Sequence, residues 1–155
     1  MKIKNNTSVR NNFINIIRKL ILLFFLAIAS LICLAFSPIF NIADIQVKGT
    51  QHYKSSDIVN SMNFKLGDNW FSYMEFNLKD IFSFSNSKIE KQILDNRPYL
   101  KNVKVTLKGV NVMMIEVLER HPKAIIEYVA TSLIIDENSV VLDSLDSANI
   151  HDLPI

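Results

Sequence analysis

The side chains able to do chemistry in this 155-residue chain are three histidines, one cysteine and a scatter of serines and carboxylates. Their spacing builds no reaction centre. His52, His121 and His151 stand far apart, each without the neighbouring pattern of Cys, His or carboxylate that a zinc site needs, and they read as solvated or structural residues. No serine occupies a Gly-x-Ser-x-Gly elbow, no glycine-rich loop is present to cradle a phosphate, and the carboxylates show no motif-like pairing. Cys33 follows Leu31 and Ile32, where a lipoprotein signal needs a small residue before the cysteine, so it reads as a small apolar residue of a membrane helix. No catalytic, cofactor-binding or metal-ligating residue is assigned and no small-molecule substrate is implied. The chain is expected not to be an enzyme.

One polar cluster remains, Glu119-Arg120-His121-Pro122. Adjacent strand residues point to opposite faces, so Glu119 and Arg120 cannot pair with each other and each needs a partner elsewhere. The preferred reading is a domain junction made by Glu119, Arg120 and Pro122, with the proline stiffening it. The other sets Arg120 on a partner-docking face.

The element that positions everything downstream is the apolar run from Leu20 to Phe36. It carries no charge, and the next charged residue is Asp44. At 1.5 Å of rise per residue the inner run covers about 25 Å and the uncharged stretch about 36 Å, which brackets the ~30 Å hydrocarbon core of a bilayer. A transmembrane helix over 20–40 is predicted. Residues 1–19 hold Lys2, Lys4, Arg10, Arg18 and Lys19 and no acidic residue, whereas the remainder is mildly acidic. The positive-inside rule makes 1–19 a cytoplasmic tail and sets the rest outside. Ala27-Ile28-Ala29 also fits a signal-cleavage pattern, but cutting there would leave only Leu20 to Leu26 ahead of the site and strand Leu31 to Phe36 behind it, so an uncleaved anchor is the better reading. The basic tail fixes topology. Nucleic-acid binding finds no support.

Beyond the span the hydrophobic period changes several times. Ile42, Ile45 and Val47 alternate with polar residues up to Gly49, a strand; Ile58, Val59 and Met62 then fall on one helical face, with Ser55 or Ser56 as the cap, and Leu66-Gly67-Asp68-Asn69 closes the helix in a turn. Residues 70–86 concentrate aromatics. The preferred reading has Trp70, Phe71 and Phe82 fill a small core; the alternative is an interfacial patch beside the membrane. Ser87-x-x-Glu90 matches a capping box for a helix buried along Ile89, Ile93 and Leu94 and stopped at Arg97-Pro98. Val103, Val105 and Leu107, then Met113, Ile115 and Val117, give two strands joined by a turn at Gly109 to Asn111.

This order, with Ile45-x-Val47-x-Gly49, Gly67-x-Asn69, Arg97-Pro98-Tyr99-Leu100-x-x-Val103-x-Val105 and Glu119-Arg120-x-Pro122-x-Ala124, resembles the FtsQ/DivIB family of bacterial cell-division proteins. Leu133 to Asn138 followed by Val140-Val141-Leu142 is similar to the hairpin that opens the family's second, β domain. The chain departs from the pattern in a longer, aromatic-rich connection over 70–87, in Val110 where proline is common and in Ser139 where glycine is usual in the hairpin turn.

The resemblance implies an α+β fold: a single transmembrane helix, a POTRA domain of order β-α-α-β-β over 42–120, and over 121–155 the start of a β domain, expected to be incomplete. It implies a single-pass cell-membrane protein with its carboxyl-terminal part extracytoplasmic, placed at the division septum. Its expected role is septum assembly through binding of other division proteins such as FtsB and FtsL. Exposed strand edges are expected to offer backbone groups to such partners. Lys104 and Thr106, on the outer face of their strand, are the candidate recruitment surface. The competing reading is a single-pass sensor or protein-transport accessory that binds an exported peptide.

Overall fold

The structure, a computed structural model, describes residues 7–75, 77–95, 97–128 and 131–146. Phe76, His151 and the end of the chain up to Ile155 lie outside them, as do the first six residues of the expected tail. The chain forms two compact units, Met1–Pro38 and Ile39–Ile155.

The first unit is one helix, α1 (Thr7–Ala35). Its stretch Asn12–Ala35, 24 residues with no buried side chain, is long and apolar enough to cross a membrane. A helix apolar on every side and unpacked suits lipid, and its length allows some tilt. The helix starts well ahead of the expected Leu20, because 7–19 contain no proline or glycine and extend a ladder the apolar run has already nucleated. It stops short of the expected residue 40. Ser37 donates to Leu34 O at 3.0 Å, tightening the last turn, and Pro38 has no amide to continue it. Both membrane-anchor limits, Leu20 and Phe36, are exposed, Phe36 just past the helix end.

The second unit carries β1 (Asp44–Lys48), α2 (Ser55–Asn60), α3 (Leu78–Ser83), α4 (Ser87–Leu94), β2 (Leu100–Lys108) and β3 (Val112–Glu119), then β4 (Ala124–Tyr128), β5 (Thr131–Ile135) and β6 (Val141–Asp146). The first sheet has the order β1-β3-β2, with β1 parallel and β2 antiparallel to the central β3; the second has the order β4-β5-β6 and is antiparallel. The expected β-α-α-β-β order is present, and α3 is an addition to it.

The alternation read from the strands sets the core. Ile115 pairs with Val47 on one side and Val105 on the other. Ile58 of α2, Ile89 and Ile93 of α4, and Met113 and Val117 close over this row. Each fully buried aliphatic side chain contributes about 1.5–3 kcal/mol, so this layer is the main source of the domain's stability.

Several local expectations are corrected. Neither Ser55 nor Ser56 caps α2, since both lie inside it and Lys54 holds the cap position without a side-chain bond. The helix opening the second hydrophobic stripe is capped by Asn86, whose side chain accepts from Ile89 N at 3.1 Å; Ser87 is one residue too late. Glu90 leaves its expected capping role and accepts from Val105 N at 2.9 Å. Of the aromatics, Trp70 is fully buried and Phe71 packs edge-on against Phe40 at 5.0 Å, but Phe82 is 83% exposed and no part of the core. It sits on α3, whose polar side is held by Asp80 and whose apolar side has no core to cover.

Candidate functional site

Residues of the first sheet that point away from α2 and α4 form rows across the strands. Gln46, Met114 and Thr106 make one, and Lys48, Glu116 and Lys104 the next. Lys104 is exposed and Thr106 half-buried. Glu116 thus stands between two lysines on a mixed face of excess positive charge.

The strand edges differ from each other. Along β2 the edge is covered from Val105 to Leu107: Asn86 N donates to Val105 O at 3.0 Å, Leu107 N donates to Phe84 O at 2.8 Å, and Ser85 bridges Thr106. The expectation of a free edge is therefore corrected on this side. The approach to β1 is paired outward, where Ile42 exchanges bonds with Asp68 O and Gly67 N and Asn41 bridges Asn69. Among the described residues no strand lies along the outer side of β1.

At the end of β3 the two charged neighbours do diverge. Glu119 is buried, and its carboxylate accepts from the backbone amides of Gln51, His52 and Tyr53 at 3.1, 2.6 and 3.2 Å. The loop it holds starts at Gly49, whose φ is +86° and whose missing Cβ would lie 2.1 Å from Val117 O, so only glycine fits. Arg120 turns to the second sheet and pairs with Asp136 at 2.6 Å. Burial alone would raise the Asp136 carboxyl, but the Val140 and Asn138 amides and the Arg120 guanidinium outweigh it and hold the group below its ordinary value. Around these pairs His52 stacks on Tyr99 at 3.8 Å, and Tyr99, Ile134 and Leu142 form a small second core against Tyr53. Pro122 is exposed just beyond and makes no part of that core.

Asp80 is a buried carboxylate that sequence reading missed. It accepts from Ser87 N at 3.1 Å and from the Ser87 and Ser85 hydroxyls at 2.7 and 3.2 Å, so that its carboxyl, which burial would raise, is held below the ordinary range. This set ties the end of α3 to the start of α4. The one signal available was Asn86 itself, a strong cap residue directly before Ser87. A cleft of about 470 Å³ lies between Tyr53, Asp57, Ser61, Gln92, Asp95 and Arg97. Arg97 donates to Asp57 O at 2.7 Å and lies over the Tyr53 ring. Among the described residues no group of three or more His, Cys, Asp or Glu is placed to hold a metal ion. The structure thus brings Glu119 and Arg120 to one junction and leaves Lys104 and Thr106 on the sheet's outer side, away from it.

A family model described as "POTRA domain, FtsQ-type" matches residues 40–120. The chain belongs to the FtsQ/DivIB family. It is 33% identical over 106 residues, 68% of the chain, to the cell division protein DivIB of Clostridium acetobutylicum. Over 128 residues, 82% of the chain, it is 30% identical to the DivIB of the Hall strain of Clostridium botulinum. These matches cover 38% and 45% of the relatives' own lengths, so the chain spans less than half of each. This FtsQ/DivIB chain has an α+β fold, an apolar helix followed by a POTRA domain and additional strands, and the relatives it matches are named cell-division proteins.

Proposed function

We propose that this FtsQ/DivIB protein is a single-pass, non-enzymatic member of the division complex in the cell membrane, its amino terminus in the cytoplasm and its strands outside, serving septum assembly by docking other division proteins. The observation that carries the reading is the FtsQ-type POTRA match over residues 40–120, directly behind a helix long enough to span a bilayer. The five basic residues before Leu20, three of them in the first turns of α1, favour the orientation. FtsB and FtsL are the proposed partners. The outer side of β1 offers them strand addition, and Lys104 and Thr106 belong to the recruiting face. Glu119, Arg120 and Pro122 hold the extension for them.

An amino-terminal fluorescent fusion tests this in dividing cells. A ring at mid-cell, with FtsB and FtsL recovered on the tagged protein, is the expected result; even membrane fluorescence without either partner overturns it and favours a sensor or transport accessory. Lys104→Glu combined with Thr106→Ala is expected to reduce recruitment without loss of the fold. A reporter fused after Ile155 that works only in the cytoplasm reverses the topology.

A further inference from the structure

The insert between Asn69 and Asn86 begins and ends at one end of the first sheet. On the β1 side Asn69 bridges Asn41, and Ala43 N donates to Asn111 O at 2.8 Å in the β2–β3 turn. On the β2 side Leu107 N takes Phe84 O, and the register pairs Leu107 with Met113 and both Lys108 and Asp44 with Val112. Both ends of the insert therefore lie where the chain arrives from α1, while Lys48, Leu100 and Glu119 mark the opposite end of the sheet. From Ala35 to the buried Ile42 the chain is seven residues, at most about 25 Å when extended.

This end is unusually apolar. Ile39, Leu78, Ile81, Phe82, Phe84 and Val110 are all exposed there, Leu78 at 72%. Single exposed hydrophobes are ordinary, but a group of this kind marks a contact surface. Phe84 adds a second observation. Its φ is +48°, a left-handed position that bulky residues avoid, and its ring is half exposed, so burial in the core does not offset the strain. The neighbouring charges are mixed, Lys79 and Lys108 against Asp44 and Glu75, so the apolar side chains set the character of the surface.

We propose that this end of the domain beds into the head-group region of the same bilayer, with α3 as a short interfacial helix and Leu78, Phe82 and Phe84 inserted at its surface. The occupant is the lipid surface because the short tether keeps the patch beside it, and aromatic side chains favour that zone. The inference rests on the reading that α1 spans the membrane.

The test uses the full chain in vesicles of phosphatidylethanolamine and phosphatidylglycerol, in a Cys33→Ser background, with a fluorophore on a single cysteine at Phe82, at Asn102 on the far part of β2, or at Leu26 in the span. Expected is a Phe82 label that lipids spin-labelled near the head group quench strongly, with several-fold lower quenching by aqueous iodide than the Asn102 label. Equal iodide quenching at Phe82 and Asn102 overturns the proposal and leaves the patch to a protein partner. A Leu26 label that deep spin labels fail to quench removes the spanning helix, and the proposal falls with it; normal Leu26 quenching with a wet Phe82 refutes only the bedding. Circular dichroism unchanged by Phe82→Cys shows that the labelled fold is intact.

Discussion

Replacing Glu119 with alanine should loosen the loop at 51–53 where it meets the end of β3. The carboxylate receives three backbone amides, from Gln51, His52 and Tyr53, and is only 7% exposed. A hydrogen bond to an ionised group contributes about 1.5–3 kcal/mol. The sum overstates the loss, because Gln51 and His52 are exposed and water can take over their amides. About 3 kcal/mol is the expected destabilisation for Glu119→Ala, a large part of the ~5–15 kcal/mol that holds a domain. Glu119→Gln keeps one acceptor and turns an amide group against one of the donors, so about half that loss is expected.

Trp70 makes the measurement direct. It is the single tryptophan and is fully buried in the first core, so its fluorescence during urea unfolding of the full chain in detergent reports this domain. With a urea slope of about 1.5 kcal/mol per molar, the alanine variant should unfold near 2 M lower in urea than the parent. Hydrogen exchange at the amides of 51–53 should quicken in step. An alanine variant with an unchanged midpoint and unchanged exchange at those three amides would refute the reasoning that the carboxylate fastens the loop.

Acid should act in one direction. Asp80 and Asp136 are both held below the ordinary carboxyl value of 3.8, so their stabilisation is complete above that pH and is lost as pH falls through their folded values; a Trp70 titration should show unfolding steepen only below about pH 4, Asp136→Asn should remove part of it, and a transition between pH 7 and 5 would contradict the assignment. Gly49→Ala should cost at least about 2 kcal/mol in the same urea assay, since it adds a clash with Val117 O to a left-handed backbone; full recovery of the parent midpoint would count against the close approach. Ser139→Gly should be neutral or stabilising by up to about 1 kcal/mol, because Ser139 already sits at φ +60° in the β5–β6 turn. A lowered melting temperature in that variant would speak against the turn.

The strands were legible because their alternating apolar residues line the side under the helices, although Met114 on the other side is buried as well. Val103, Val105, Met113, Ile115 and Val117 are buried as their alternation predicts. Ser139 was legible as a turn position because the resemblance expects glycine there, and the backbone is indeed left-handed. The insert was not legible, since α3 is a six-residue helix whose apolar residues face out, and a short apolar run carries no sign of which side is covered. The capping box failed for a local reason: Asn86 and Ser87 are both good caps, and Glu90 was drawn away by the unpaired amide of Val105. That Glu119 and Arg120 need separate partners followed from strand geometry alone, but the partners lie 66 to 68 residues upstream for Glu119 and 16 downstream for Arg120, beyond any local pattern.

Those partners make the two residues act as one fastening. Glu119 fixes the loop that presents His52 and Tyr53, and Arg120 fixes Asp136 at the turn of the second sheet. The two sides then meet again, through the His52–Tyr99 stack and the small core of Tyr99, Ile134 and Leu142 against Tyr53. Arg120 N also donates to Tyr99 O at 2.6 Å, which returns the backbone of the junction to that core. The connection is closed by a buried carboxylate, an ion pair and an aromatic cluster, while Pro122 beside it is exposed. Pro122 restricts its own φ and the residue before it, whereas the contacts on either side fix where the second sheet begins.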